Sequence, residues 1–251
     1  LRRQRQMCIR DRLITAEHVH GKTGLDGTDL SIKKKELEPT GAVDFIIECT
    51  EKYRDEKITI CALGPLTNVA KVLKKNSVLT ESIEEIVLMG GGFFEGGNIT
   101  PAAEFNIYVE PEAAKIVLES GLKITMLPLD VTHKTLVQRN FLEKLRKSGK
   151  NSAIQAAKLL DFFERYDVEK YGSQGGPLHD PNVIVYLLNP EIYNGRIVNV
   201  EVEVNSELTR GMTVVDWWNV TDRLPNAYYI NEVKENEFFE TVLNNVLNLE
   251  I

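Results

Sequence analysis

The chain has 251 residues, 43% of them hydrophobic and 27% charged, with a formal net charge of −7. That length buries a sizeable core in one large domain or two small ones, and the acidic balance argues against a general nucleic-acid-binding surface. No apolar run approaches the roughly 18 residues of a membrane-spanning helix, so neither membrane nor nucleic acid is an expected partner and cytoplasmic location is the expectation.

The first twelve residues, LRRQRQMCIRDR, crowd Arg2, Arg3, Arg5, Arg10 and Arg12 into a stretch with no apolar periodicity. They read as a non-native or disordered basic leader, outside the fold; a polybasic arm for RNA or membrane is the other reading. From Ala16 onward short apolar runs alternate with segments of helical period, the pattern of an α/β domain with a largely parallel sheet. Lys57–Leu63 reads as a buried strand ending at the Gly64-Pro65 turn, and Leu66, Val69, Ala70 and Leu73 then recur at helix spacing. Glu85–Met89 is the next strand, closed by Gly90-Gly91-Gly92. Phe93 to Val109 reads as a long functional loop.

Pro111 suits the first turn of a helix with Ala113, Ala114, Val117 and Leu118 facing inward and Gly121 at its end. Lys123–Leu127 is a strand. Amphipathic helices are expected over Phe141–Lys147 and Ala153–Tyr166, and a loop from Gly172 to Pro181 leads into an apolar helix at Asn182–Leu188. Val198, Val200, Val202 and Val204 alternate with polar residues as one strand, paired in an antiparallel hairpin with the MTVVDWW that follows Gly211. Residues 13–251 read as one domain. Cys8, Cys49 and Cys61 show no zinc-like or CxxC spacing, and the latter two read as reduced core thiols.

Three polar clusters stand at strand ends or in glycine-rich loops, where open α/β sheets place ligands. Ala62 to Asn68 frees backbone carbonyls at a strand end, although a turn before a helix explains it equally well. Gly96 to Asn106 carries Asn98, Glu104 and Asn106, whose donors and acceptors suit sugar hydroxyls; a solvated loop of Asn-driven turns is the alternative. Gly175 to Pro181 carries His179 and Asp180. An acid beside a hard anionic oxygen suits metal-assisted hydrolysis, while helix capping by Asp180 is the structural alternative.

Taken in order, the strings HGKTGLDG (His20–Gly27), ALGPLTNVA (Ala62–Ala70), LMGGG (Leu88–Gly92), GNITPAAEFNIYVEPEAA (Gly97–Ala114), LPLDVTH (Leu127–His133), LHDP (Leu178–Pro181) and TRGMTVVD (Thr209–Asp216) resemble the nucleoside hydrolases of the inosine-uridine preferring type. The resemblance implies a Rossmann-like, mostly parallel sheet with helices on both faces. It also implies hydrolysis of the N-glycosidic bond of purine or pyrimidine ribonucleosides through an oxocarbenium-like transition state, with calcium (Ca2+) as cofactor. Carried over by motif, Asp180 and the backbone carbonyl of Leu63 are metal ligands, Asn98, Glu104 and Asn106 hold the ribose, Met89 lines its pocket, and His179 protonates the departing base. Homodimers or homotetramers are implied as well.

The family's aspartate-rich DxDxGxDD opening, source of the catalytic base and of further calcium ligands, has no counterpart in the sequence. The expectation is therefore an N-terminally truncated chain whose metal site is incomplete: an inactive fragment. A non-catalytic nucleoside-binding homologue is the alternative. Tyr166 and Tyr171 lie where relatives place base-contacting aromatics, with core packing the equal reading.

Overall fold

In the computed structural model the described residues are Ile14, Glu17, Gly21, 23–28, Leu30, 39–75, 81–171 and 175–249, with 164–171 described by backbone alone. The basic leader, Cys8 and the side chains of Tyr166 and Tyr171 lie outside them.

Among these residues β1 (Ile58–Ala62), β2 (Ile83–Met89), β3 (Ile124–Leu127) and β7 (Ala227–Val233) are parallel, and β4 (Tyr193–Val198) closes one edge antiparallel to β7. They form a five-stranded sheet in the order β1-β2-β3-β7-β4. β2 shows why the sheet is central. Ile86 and Leu88 enter one apolar cluster while Val87 and Met89 enter another, all four buried, as expected of a strand covered on both faces.

The first face is covered by α2 (Thr67–Lys75) through Val69 and Ala70, and by α4 (Pro111–Leu118) through Ala113, Ala114, Val117 and Leu118. An earlier helix, α1 (Ala42–Lys52), lies beside α2. Opposite lie α6 (Arg139–Lys147), α7 (Asn151–Tyr171), α8 (Pro181–Leu188) and α9 (Glu235–Asn248), which contribute Phe141, Leu145, Ala153, Ala157, Val183 and Phe238. The architecture is α/β with helices on both faces.

Several elements differ from the sequence reading. β1 begins at Ile58, since Lys57 has φ +58, a left-handed conformation that cannot continue a strand. The expected loop 93–109 ends in a short helix, α3 (Phe105–Val109), which Glu104 caps with its side chain. The valine run is two strands, because Asn199 breaks it: Val198 ends β4 in the main sheet, whereas β5 (Val200–Val202) pairs with β6 (Thr213–Val215) as the antiparallel hairpin. β7 and α9 had no sequence-based expectation. Cys49 and Cys61 are free thiols, partly rather than wholly buried.

Candidate active site

Because β1, β2 and β3 are parallel, their carboxyl ends open on one edge, the usual ligand side of such sheets. Leu63 follows β1 directly, Met89 ends β2, and Pro128 follows β3. Leu63 is partly buried against the cluster holding Leu178 and Val183, so the start of α8 and the end of β1 share packing.

The loop after β2 is built on Glu104. Its carboxylate is only 3% exposed and accepts three backbone N–H groups, from Asn106 at 2.9 Å, Gly91 at 3.1 Å and Ile107 at 3.2 Å. One side chain thus caps α3 and ties it to the glycines ending β2. Asn106 donates through Nδ2 to the Met89 carbonyl at 3.0 Å, and Asn98 accepts the Phe105 N–H at 2.9 Å. Asn98, Glu104, Asn106 and Met89 therefore sit in one bonded unit. The unit needs Gly97, where a Cβ would run into backbone atoms of Thr100 and Ala103.

The second unit comes from α5 (Leu129–Thr132), directly after β3, and the start of α8. Thr132 Oγ1 and His179 Nδ1 share a hydrogen at 2.7 Å. The His133 ring lies 5.6 Å from that of His179 and bonds Glu95 at 3.2 Å. Asp130, buried, accepts the N–H groups of Phe93 at 3.0 Å and Glu95 at 2.7 Å together with the Tyr229 hydroxyl, and so fastens the glycine loop to β7. Asp180 occupies the N-cap of α8 without bonding the helix through its side chain, so capping does not account for it.

Burial pushes the Glu104 carboxyl up to about 7, against the three backbone N–H groups that favour its ionised form, and the negative charge of Asp180 adds to the rise. Glu104 and Asp180 are thus brought within electrostatic reach of each other from loops about 76 residues apart. Among the described residues no three His, Cys, Asp or Glu side chains cluster as a metal site. Asp180 and the Leu63 carbonyl are hard oxygen donors of the kind calcium prefers, but two fall short of the roughly six to eight it takes. The described residues do not by themselves fit the ion.

Sequence reasoning missed Thr132, Asp130 and Glu95 as parts of this edge. The available signal was their position: Asp130 and Thr132 follow a strand end within a short polar stretch, LPLDVTH.

Residues 4–240 match the family model described as inosine-uridine preferring nucleoside hydrolase. The pyrimidine-specific ribonucleoside hydrolase RihA of Photobacterium profundum is 43% identical over 237 residues, covering 94% of this chain and 76% of that protein. Among solved structures, the purine-preferring ribonucleoside hydrolase from Gardnerella vaginalis superposes with a TM-score of 0.82 at 30% identity, over 93% of this chain and 75% of that one. A plant nucleoside hydrolase, PpNRh1, gives 0.85 at 28% identity, over 94% and 76%.

Proposed function

Because the chain belongs to the inosine-uridine preferring nucleoside hydrolase family, and is therefore a hydrolase acting on ribonucleosides, we propose that its reaction is run by the strand-end constellation of Asn98, Glu104, Asn106, His179 and Asp180. The observation that carries the reading is the meeting of His179 with Thr132 and of Asp180's charge with Glu104 on one sheet edge.

Breaking the C1′–N bond sends its electron pair to the base and leaves positive charge on the ribose ring, as in glycoside hydrolysis. The carboxylates of Glu104 and Asp180 oppose that charge, and Asn98 and Asn106 orient the sugar hydroxyls with Met89 beneath. With Nδ1 engaged by Thr132, His179 hands its proton to the base from Nε2. Water then adds its oxygen to C1′, and the proton it sheds balances the one given to the base.

Calcium is the proposed cofactor, with Asp180 and the Leu63 carbonyl among its ligands, and the steps above are derived without it. The short donor set among the described residues favours a second reading, a nucleoside-binding protein without catalysis. The proposed boundaries are one hydrolase domain over 13–251. The free thiols Cys49 and Cys61 suit a reducing compartment, hence the cytoplasm, and exposed Ile197, Trp218, Val220 and Leu224 suit a homodimer or homotetramer. Pyrimidine nucleosides are the proposed first substrates, since RihA shares more sequence than the purine-preferring enzyme.

The test is a reducing-sugar assay with uridine, cytidine and inosine, on this chain and on a chimera with an aspartate-rich opening segment joined ahead of residue 13. Ribose release by the chimera, abolished by Asp180→Asn, is the expected result. Release unaffected by that substitution would remove Asp180 from the site.

A further inference from the structure

Asn182 is fully buried at the start of an apolar helix, α8, where an aliphatic side chain would fill the space at no polar cost. A buried amide is tolerated only when its polar atoms are paired, and each of these is. Nδ2 donates to the Leu178 carbonyl at 2.5 Å and to Thr135 Oγ1 at 2.9 Å, and Oδ1 accepts the Tyr193 hydroxyl at 3.0 Å.

The partners are not scattered. Leu178 immediately precedes His179, and its carbonyl is the one a regular helix would satisfy from the backbone N–H of Asn182. That N–H goes instead to the His179 carbonyl at 3.2 Å, so the side chain takes over the vacated bond and holds the peptide in a tighter turn. Thr135 meanwhile donates to the Thr132 carbonyl at 2.9 Å, and Leu178 N–H donates to the Thr135 carbonyl at 3.0 Å. The same short segment, 132–135, therefore grips His179 twice: at the ring through Thr132, and at the preceding peptide through Thr135 and Asn182. Tyr193, the first residue of β4, braces the amide from behind and is itself buried.

We propose that Asn182 is a positioning residue, which with Tyr193 and Thr135 sets the orientation of His179 and Asp180 at the sheet edge without touching the substrate. The proposal deepens the hydrolase reading and rests on it for its consequence, but its primary readout does not. Nitrogen-edited NMR of the intact chain, with the His179 ring signals assigned by His179→Gln, is expected to show two well-separated ring nitrogens of one hydrogen-bonded tautomer. Thr132→Val should make them converge.

Asn182→Leu, nearly isosteric, should reproduce that convergence while the amide spectrum stays dispersed. Unchanged His179 signals in a folded Asn182→Leu variant overturn the proposal. If that variant does not fold, Tyr193→Phe, which deletes one donor and no volume to speak of, should shift the signals part of the way, and an unmoved spectrum there is equally fatal. In the active chimera, Asn182→Leu should lower kcat for uridine about tenfold with KM nearly constant, and Asn182→Gln should not rescue it, because a longer amide cannot keep both bonds. Should no form hydrolyse nucleosides, the hydrolase assignment of the site fails while the NMR comparison still decides the role of Asn182.

Discussion

The hydroxyl of Thr132 lies 2.7 Å from Nδ1 of His179, a bond between residues 47 positions apart that engages one of the two ring nitrogens. Two segments with no local reason to meet are joined at the ring proposed to protonate the base, and the proposal can be tested by chemistry that needs a proton only some of the time.

In the active chimera, His179→Ala should slow inosine and uridine by on the order of 10²–10⁴-fold while sparing a nitrophenyl riboside, whose leaving group departs without a proton. Thr132→Val should act in the same direction by about tenfold, the worth of one hydrogen bond. Steady-state rates on both substrates check this, and equal losses would assign His179 to binding or structure.

Glu104 makes stability depend on pH in the sense opposite to most carboxylates. Its pKa in the folded protein is pushed up to about 7 from an ordinary 4.5, so its contribution is fully present below pH 4.5 and is lost as pH rises through 7. The loss amounts to about 3 kcal/mol. Glu104→Gln cannot titrate, so urea denaturation at pH 5, 6, 7 and 8 should show the gap between wild type and variant closing or reversing across that window. Parallel curves would mean that Glu104 stays ionised throughout.

Gly97→Ala should destabilise the protein by about 1–3 kcal/mol, since the added methyl meets backbone of Thr100 and Ala103, which cannot swing away. Gly64→Ala, where a Cβ would meet nothing within 4 Å, is the control. Thermal denaturation of the pair checks it, and equal midpoints would show that the loop from Gly96 to Asn106 shifts without cost.

Calcium titrated calorimetrically into the 251-residue chain should bind weakly, with a Kd at or above about 10⁻³ M, because the two oxygen donors among the described residues are a fraction of its shell. Asp180→Asn should abolish even that heat. Micromolar binding would reveal donors beyond Asp180 and Leu63.

Much of the fold was legible because its signals are local. The apolar run of β1 and the Pro111 helix start depend on neighbours in sequence, and the structure places both within a residue, while the helix closes at Leu118, three residues short of Gly121. The valine run misled because period-two alternation continues through Asn199 even though the chain changes sheets there. Only the pairing partners, β7 for one half and β6 for the other, reveal the break. Glu104 was legible as a polar residue in a glycine-rich loop, but not as a buried cap with a raised pKa, since burial is a property of what packs over it.

By itself the sequence determined most of the element types, the α/β class and, through strings such as AEFN and LHDP, the family, all of them carried by short-range pattern. Tertiary structure alone decided that β7, from the far end of the described chain, would insert beside β3 and put Tyr229 against Asp130. It alone brought His179 to Thr132 and Asp180's charge to Glu104. Those outcomes depend on strand order and on helices covering both faces of the sheet, and the free energy that selects them comes from burying surface shared by distant segments, which no local window of residues contains.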